Sequence, residues 1–190
     1  MKIVCFIIVI LMFSCNGIKE TSSAEEYLSY FVDVENGLLK KTNFNNSDFT
    51  VLYETPEYIA IKETRGEIPT KEAIDSRVKE LSGLQYFTLR INISQYSDEQ
   101  KQNLREYFFE KAQTDFKLKT SAQEFTPVMY HFEQDFGVLP YCTIFLGFQV
   151  EKLSTAELLF NSSEIGNDNV TVTFNEKELN SIPKFKLPNS

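Results

Sequence analysis

Apolar and polar residues alternate along three segments in the last third of the chain. The apolar positions are Val128, Tyr130 and Phe132 in the first segment, Cys142, Ile144, Leu146, Phe148 and Val150 in the second, and Val170, Val172 and Phe174 in the third. Successive side chains of a strand point to opposite faces, so a period of two predicts half-buried β-strands. Phe145 adds an apolar residue to the other face of the second segment, which predicts a central strand.

Helical patterns lie in the first two thirds of the chain. Ser23 and Ser97 each precede a Glu or Gln by three residues, the signature of a helix N-terminus. Apolar residues at helical spacing follow, and they predict helices over residues 24–31, 70–82 and 98–116. Residues 49–53 and 87–93 have strand patterns, and the segment 57–62 is also predicted as a strand.

This separation of helices from strands predicts the fold class. Helices followed by a run of strands favour an α+β fold over a doubly wound parallel sheet. We expect a mainly antiparallel sheet with two or three helices packed on one face, covering the apolar side of the strand 87–93. Residues 24–190 are long enough to form a single domain of this class.

The first residues have the pattern of a signal peptide. Lys2 is followed by an uncharged, mostly apolar stretch over residues 3–13. A helix of that length spans about 16 Å, well short of a bilayer core, so this stretch is not expected to be a transmembrane helix. Ser14 then stands directly before Cys15, with Met12 three residues before the cysteine.

This ending resembles the lipobox of small outer-membrane lipoproteins of the Bacteroidota, in which Leu usually holds the place of Met12. The resemblance covers the signal alone. It implies that residues 1–14 are removed as a lipoprotein signal peptide and that Cys15 is lipidated, with residues 15–23 forming the lipidated N-terminus and a tether. It also implies a lipid-anchored protein of the cell envelope, in the outer membrane, whose anchor binds the bilayer through Cys15.

The charge balance limits the partners to be expected. The 27 acidic residues outnumber the 19 basic ones, which leaves a formal net charge of −8. Nucleic acids need clustered basic residues, so no nucleic-acid partner is predicted. No phosphate-binding loop or metalloprotease motif is present, and no cofactor is expected.

The residue types that carry catalysis are sparse. His131 is the single histidine, and Cys142 alternates with apolar neighbours, so it is expected to be buried away from His131 rather than paired with it. One His and one free Cys do not make a zinc site. Asp33 begins a calcium-like loop that lacks its final Glu, so no metal site is predicted. Glu133 and Asp135 form a carboxylate pair compatible with glycoside hydrolysis, but acidic residues are frequent throughout the chain.

Residues 130–141 are the most unusual stretch because they place aromatic, acidic and imidazole side chains around a Gly/Pro turn. An aromatic-rich core hairpin is one interpretation of this stretch, and a binding edge is the other. If the stretch is a binding edge, the candidate binding residues are Phe136, Tyr141, His131 and Glu133. No catalytic residue is assigned. The sequence favours a non-enzymatic binding or accessory module with an envelope protein as partner, and the alternative is a small envelope hydrolase using Glu133/Asp135 or His131.

Overall fold

A computed structural model describes residues 20–44, 47–64, 70–134, 138–162 and 169–186 of the chain. Its strands are β1 (Glu20–Thr21), β2 (Leu39–Phe44), β3 (Ser47–Glu54), β4 (Gln85–Asn92), β5 (Phe116–Lys119), β6 (Glu124–Phe125), β7 (Met129–Glu133), β8 (Tyr141–Phe148), β9 (Ala156–Asn161), β10 (Asn169–Phe174) and β11 (Lys184–Phe185). Its α-helices are α1 (Ala24–Val32), α2 (Pro56–Glu63), α3 (Lys71–Leu81), α4 (Asp98–Glu110) and α5 (Glu176–Asn180), with 3-10 turns at Val34–Asn36 and Ala112–Asp115.

The larger sheet has five strands in the order β2-β3-β4-β8-β7, and all neighbours run antiparallel. Ile144 of β8 lies between Leu89 of β4 and Phe132 of β7 in this register. β8 is therefore an interior strand, as its two apolar faces predict. β7 and β8 pair antiparallel, as expected for the two arms of a hairpin over residues 130–141.

A second antiparallel sheet, in the order β10-β9-β5-β6, packs against the first. The rings of Phe49 and Phe160 stack with centroids 5.9 Å apart, and those of Phe87 and Phe174 are 5.5 Å apart. Helix α4 closes the same core, because Phe108 stacks on Phe132 at 6.2 Å. Most of the large apolar side chains are thus buried between two sheets and one helix.

The α+β class with mostly antiparallel sheets is confirmed, but the expected number of helices is wrong, and so is the expectation that helices cover the apolar side of residues 87–93. The described residues form five α-helices rather than two or three. The apolar side of β4 faces the second sheet, since Phe87 contacts Phe174. The physical reason is that β9 and β10 also alternate and must bury their own apolar face. The apolar faces of the two sheets therefore pack against each other.

The predicted strand over residues 57–62 is helix α2. Thr55 caps it by accepting the Tyr58 N–H at 3.1 Å, and Pro56 occupies its first turn, where a missing N–H costs nothing. Tyr58 and Ile61 are buried, and the Tyr58 ring packs on Phe31 at 4.4 Å. The cap and the burial of one helix face outweigh the strand preference of Tyr and Ile.

One predicted boundary also moves. Helix α4 begins with the predicted box at Ser97 and Gln100, but it ends at Glu110 instead of Phe116. Phe116 starts β5, where its ring stacks on Phe160 at 4.5 Å, so sheet pairing overrides the helical spacing. Near the N-terminus, Glu20 and Thr21 fall within the predicted tether, and they pair with β11 in parallel.

Candidate functional site

The larger sheet turns one face away from the second sheet, and part of this face is uncovered. Side chains that face outward come from alternate residues of β3, β4, β8 and β7. One row across the strands is Leu52, Thr88, Phe145 and His131, and the next is Thr50, Arg90, Thr143 and Glu133. We use the term open sheet face for Arg90, His131, Glu133, Tyr141 and Phe145, all of which are exposed or half-buried.

Two ring contacts organise the open sheet face. The Arg90 guanidinium carbon lies 5.3 Å from the centroid of the Tyr141 ring, and the His131 ring stacks on Phe145 at 5.9 Å. Arg90 makes no salt bridge with any other residue that the structure describes. Arg90 is exposed to solvent, and its guanidinium lies over an aromatic ring. This arrangement places a cation beside two half-buried aromatic rings, those of Tyr141 and Phe145.

The neighbouring part of the same face is closed by helices. The buried Glu54 carboxylate accepts a hydrogen bond from Thr88 at 2.9 Å and forms an ion pair with Lys62 of α2 at 2.6 Å. The Tyr86 hydroxyl donates to the Leu81 carbonyl at the end of α3. Burial raises the pKa of Tyr58 to about 12; the charge of Glu54 adds to this rise and the charge of Arg90 opposes it. Arg90 thus stands at the border between the closed and the open parts.

The structure brings three of the four predicted binding residues to this one face. His131 and Glu133 are exposed on β7, and Tyr141 is half-buried on β8. Phe136 and Asp135 lie outside the described residues. Arg90 is not among the residues predicted from the sequence. The available signal was a charged residue between Leu89 and Ile91, and Arg90 is the one exposed residue in the eight of β4.

Cys142 and His131 lie on opposite faces of the sheet, as the alternation predicts. Cys142 is 2% exposed and pairs in register with Ile91 on the core side. His131 pairs with Phe145 on the outer side. The two side chains are therefore separated by the sheet, and the thiol has the environment of a small buried apolar residue.

A separate cleft of about 770 Å³ lies beyond the end of the sheet, between α1, the end of α3 and the segment that contains β11. In its wall the Tyr53 hydroxyl donates to Gln85 Oε1 at 2.6 Å, and Gln85 Nε2 donates to the Val150 carbonyl at 3.0 Å. Burial raises the pKa of Tyr27, also in this wall, to about 12. Gln85 thus links Tyr53 to the Val150 carbonyl, while the Tyr27 hydroxyl pairs with Thr55 Oγ1 at 3.5 Å.

The calcium-like segment forms a capped turn. Asp33 Oδ1 accepts the Glu35 N–H at 3.0 Å, and Gly37 ends the turn in the left-handed conformation. Across the described part of the chain, no three His, Cys, Asp or Glu side chains are grouped so that they would hold a metal ion. Within the same residues, no helix has the length and apolar character needed to cross a membrane.

Comparisons with known proteins return one structural likeness. No protein-family model matches the chain, and no curated protein matches it. Among solved structures, a protein from Burkholderia pseudomallei described as a novel protein of unknown function is similar, with a TM-score of 0.42 and 11% sequence identity. The match covers 84% of this chain and 92% of that chain. A likeness at this TM-score supports no inference about function.

Proposed function

We propose that this chain is a membrane-anchored envelope lipoprotein, lipidated at Cys15 in the outer membrane, that acts as a non-enzymatic binding or accessory module for an envelope protein. The observation that carries the binding role is the pairing of Arg90 with Tyr141 on an uncovered sheet face. Arg and Tyr are among the residue types enriched at the positions that dominate binding energy. A guanidinium already held on a ring loses little freedom when it binds a partner.

The arrangement of the candidate catalytic groups supports binding over the hydrolase alternative. A catalytic imidazole or carboxylate is oriented by a second polar group. His131 instead stacks on Phe145, and neither His131 nor Glu133 hydrogen-bonds to another residue that the structure describes. Both are exposed on an edge strand, where water screens and mobilises them.

The anchor is tested by replacing Cys15. In the Cys15→Ala variant the lipid attachment point is gone, so the protein should leave the membrane fraction or remain unprocessed, with a higher mass. A diacylated, amide-acylated cysteine buries several acyl chains in the bilayer, and each buried methylene contributes about 0.8 kcal/mol. Without them, membrane association should be lost almost completely. Membrane fractionation and intact mass measure it. The matched control is Cys142→Ala, which removes a buried thiol and should leave fractionation unchanged. Unchanged fractionation and mass in Cys15→Ala would contradict the lipoprotein assignment.

The open sheet face is tested by site-specific photo-crosslinking in cells. A photoreactive phenylalanine analogue in place of Tyr141 should form one discrete adduct with an envelope protein, because a contact surface holds its partner within bond-forming distance. The same analogue in place of Glu72, exposed on α3, is the control and should form none. Adding Arg90→Ala should reduce the Tyr141 adduct about tenfold or more.

The hydrolase alternative has a separate outcome. A purified protein whose hydrolytic turnover is abolished by Glu133→Gln or by His131→Ala would defeat the binding-module proposal.

A further inference from the structure

The cleft beyond the end of the larger sheet has a partly apolar lining. Half-buried apolar side chains come from α3, from α5 and from the segments that follow these two helices: Val78, Leu84, Leu179, Ile182 and Phe185. The volume of about 770 Å³ falls within the range of about 300–1,000 Å³ that is usual for ligand sites in proteins. The cleft therefore has the size and the lining to hold one ligand with an apolar part.

The wall of the cleft is held in place by its own contacts. The Phe185 ring packs on Tyr27 with centroids 5.4 Å apart, and Tyr27 packs on Phe31 at 5.3 Å. Gln85, which accepts from the Tyr53 hydroxyl, also donates to the Glu151 carbonyl at 3.2 Å. A site that is formed before the ligand arrives loses little freedom when the ligand binds.

Charges of both signs accompany the apolar lining. Glu57, Glu151, Lys152 and Lys184 also line the cleft, and all four side chains are exposed. None of the four forms a salt bridge or a side-chain hydrogen bond with another residue that the structure describes. Two carboxylates and two ammonium groups match a headgroup that carries one charge of each sign better than a headgroup with a single charge.

The proposed anchor at Cys15 brings the cleft close to the bilayer. Glu20 pairs in register with Lys184 and Thr21 with Phe185, and both of these partners line the cleft. The five residue steps from Cys15 to Glu20 span at most about 18 Å in any conformation, and paired strands lie about 4.8 Å apart. Cys15 is therefore within about 23 Å of Lys184, so the tether allows this end of the domain to touch the bilayer surface.

We propose that the cleft binds a single-chain zwitterionic lipid, a lysophospholipid, from the bilayer to which the protein is anchored. The acyl chain lies against Leu84, Leu179 and Ile182, and the headgroup lies among the four exposed charges. Burial of the chain supplies affinity, and the charges supply selectivity. This inference rests on the proposed lipid anchor, because proximity to the bilayer identifies the occupant as a lipid. It does not depend on the open sheet face.

The test uses the full-length lipidated protein in nanodiscs of diacyl phosphatidylcholine, with a lysophosphatidylcholine that carries a photoreactive group in its chain. After irradiation, adducts should map to residues 78–84 or 179–185. Unlabelled lysophosphatidylcholine should compete for labelling, whereas glycerophosphocholine, which has the headgroup but no chain, should not. The diacyl lipid is present in large excess, so adducts that persist in the nanodisc show a preference for one chain.

A blocking variant tests whether the adducts arise in the cleft. Asn180 lines the cleft, is exposed and makes no side-chain hydrogen bond with another described residue. Asn180→Trp should therefore keep the fold, place a large ring in the cleft and reduce labelling about tenfold. Val34→Trp adds the same ring at an exposed position outside the lining and should leave labelling unchanged. Circular dichroism checks the fold of both variants.

A charge variant tests the headgroup contacts without changing the apolar lining. Lys152→Glu combined with Lys184→Glu alters exposed side chains alone, so the domain should fold. It leaves only acidic groups around the cleft and should reduce labelling by the phosphate-bearing probe about fivefold. The control combines Lys41→Glu with Lys79→Glu, which makes the same change in net charge outside the lining and should have no effect.

Three results would overturn the inference: adducts outside the two segments, equal labelling of Asn180→Trp, and equal competition by glycerophosphocholine. Arg90→Ala should leave labelling unchanged while it reduces the Tyr141 crosslink, so the cleft and the open sheet face are tested separately. Loss of labelling while the protein stays in the membrane fraction contradicts this inference and leaves the lipid anchor standing.

Discussion

Phe160→Ala is expected to lower the free energy of unfolding by about 3–5 kcal/mol, the usual cost of removing a buried phenyl ring. Phe160 is 1% exposed and lies where the sheets and α4 meet. Its ring centroid is 4.5 Å from that of Phe116, 5.9 Å from Phe49 and 6.1 Å from Phe108. Truncation leaves a cavity bordered by several rigid elements, which limits how far the site can collapse.

Denaturant unfolding followed by circular dichroism measures this change. The control is Val138→Ala, which shortens a side chain exposed to solvent and should change the unfolding free energy by less than about 0.5 kcal/mol. If Phe160→Ala costs no more than that control, the two sheets do not share the core described above.

Gly37→Ala is expected to destabilise the protein by about 2–4 kcal/mol, from two independent causes. Gly37 has a φ of 76°, and an L-residue held in that region costs about 1–2 kcal/mol. A Cβ there would also lie 2.5 Å from Glu178 Oε1 and 2.6 Å from its Cγ. Glu178 would have to move, and with it the ion pair to Lys40 and the cap on the Asn175 N–H.

Gly83 separates the two causes. Gly83 has a similar φ of 89°, but a Cβ there meets no atom within 4 Å. Gly83→Ala should therefore show the backbone cost alone, about 1–2 kcal/mol. In a Glu178→Ala background, the loss of unfolding free energy caused by Gly37→Ala should fall to the value for Gly83→Ala, because the side chain that the new Cβ would displace is absent. If Gly37→Ala and Gly83→Ala lower the free energy of unfolding equally in the natural background, Glu178 moves aside without destabilising the protein.

Local patterns predicted the elements whose periodicity and burial agree. The alternation around Ile144 and Leu89 identified β8 and β4, and the box at Ser97 identified the start of α4. The same signals failed where tertiary packing decided the outcome. Phe116 continues a helical stripe, yet its backbone pairs with β9, because no local pattern encodes a partner more than forty residues away.

The candidate site was predictable only in part, because strand pairing decides which residues share its face. Alternation placed His131 and Glu133 on one face of β7, and pairing with β8 then put Tyr141 on the same side of the sheet. Arg90 joins them through the pairing of β4 with β8, which brings together residues some fifty positions apart. That register depends on the whole sheet, so Arg90 had no local signature beyond its charge.

The parallel pairing of β1 with β11 also determines how the domain responds to mechanical load. Thr21 pairs with Phe185, and Lys186 forms an ion pair with Glu20 at 2.6 Å. Any pull transmitted through the segment before Glu20 reaches this short pairing before the larger sheets. Residues 20–23 span about 14 Å when fully extended at about 3.4 Å per residue. The β1–β11 pairing is therefore the first contact to be loaded, and the two sheets and their core come after it along the chain.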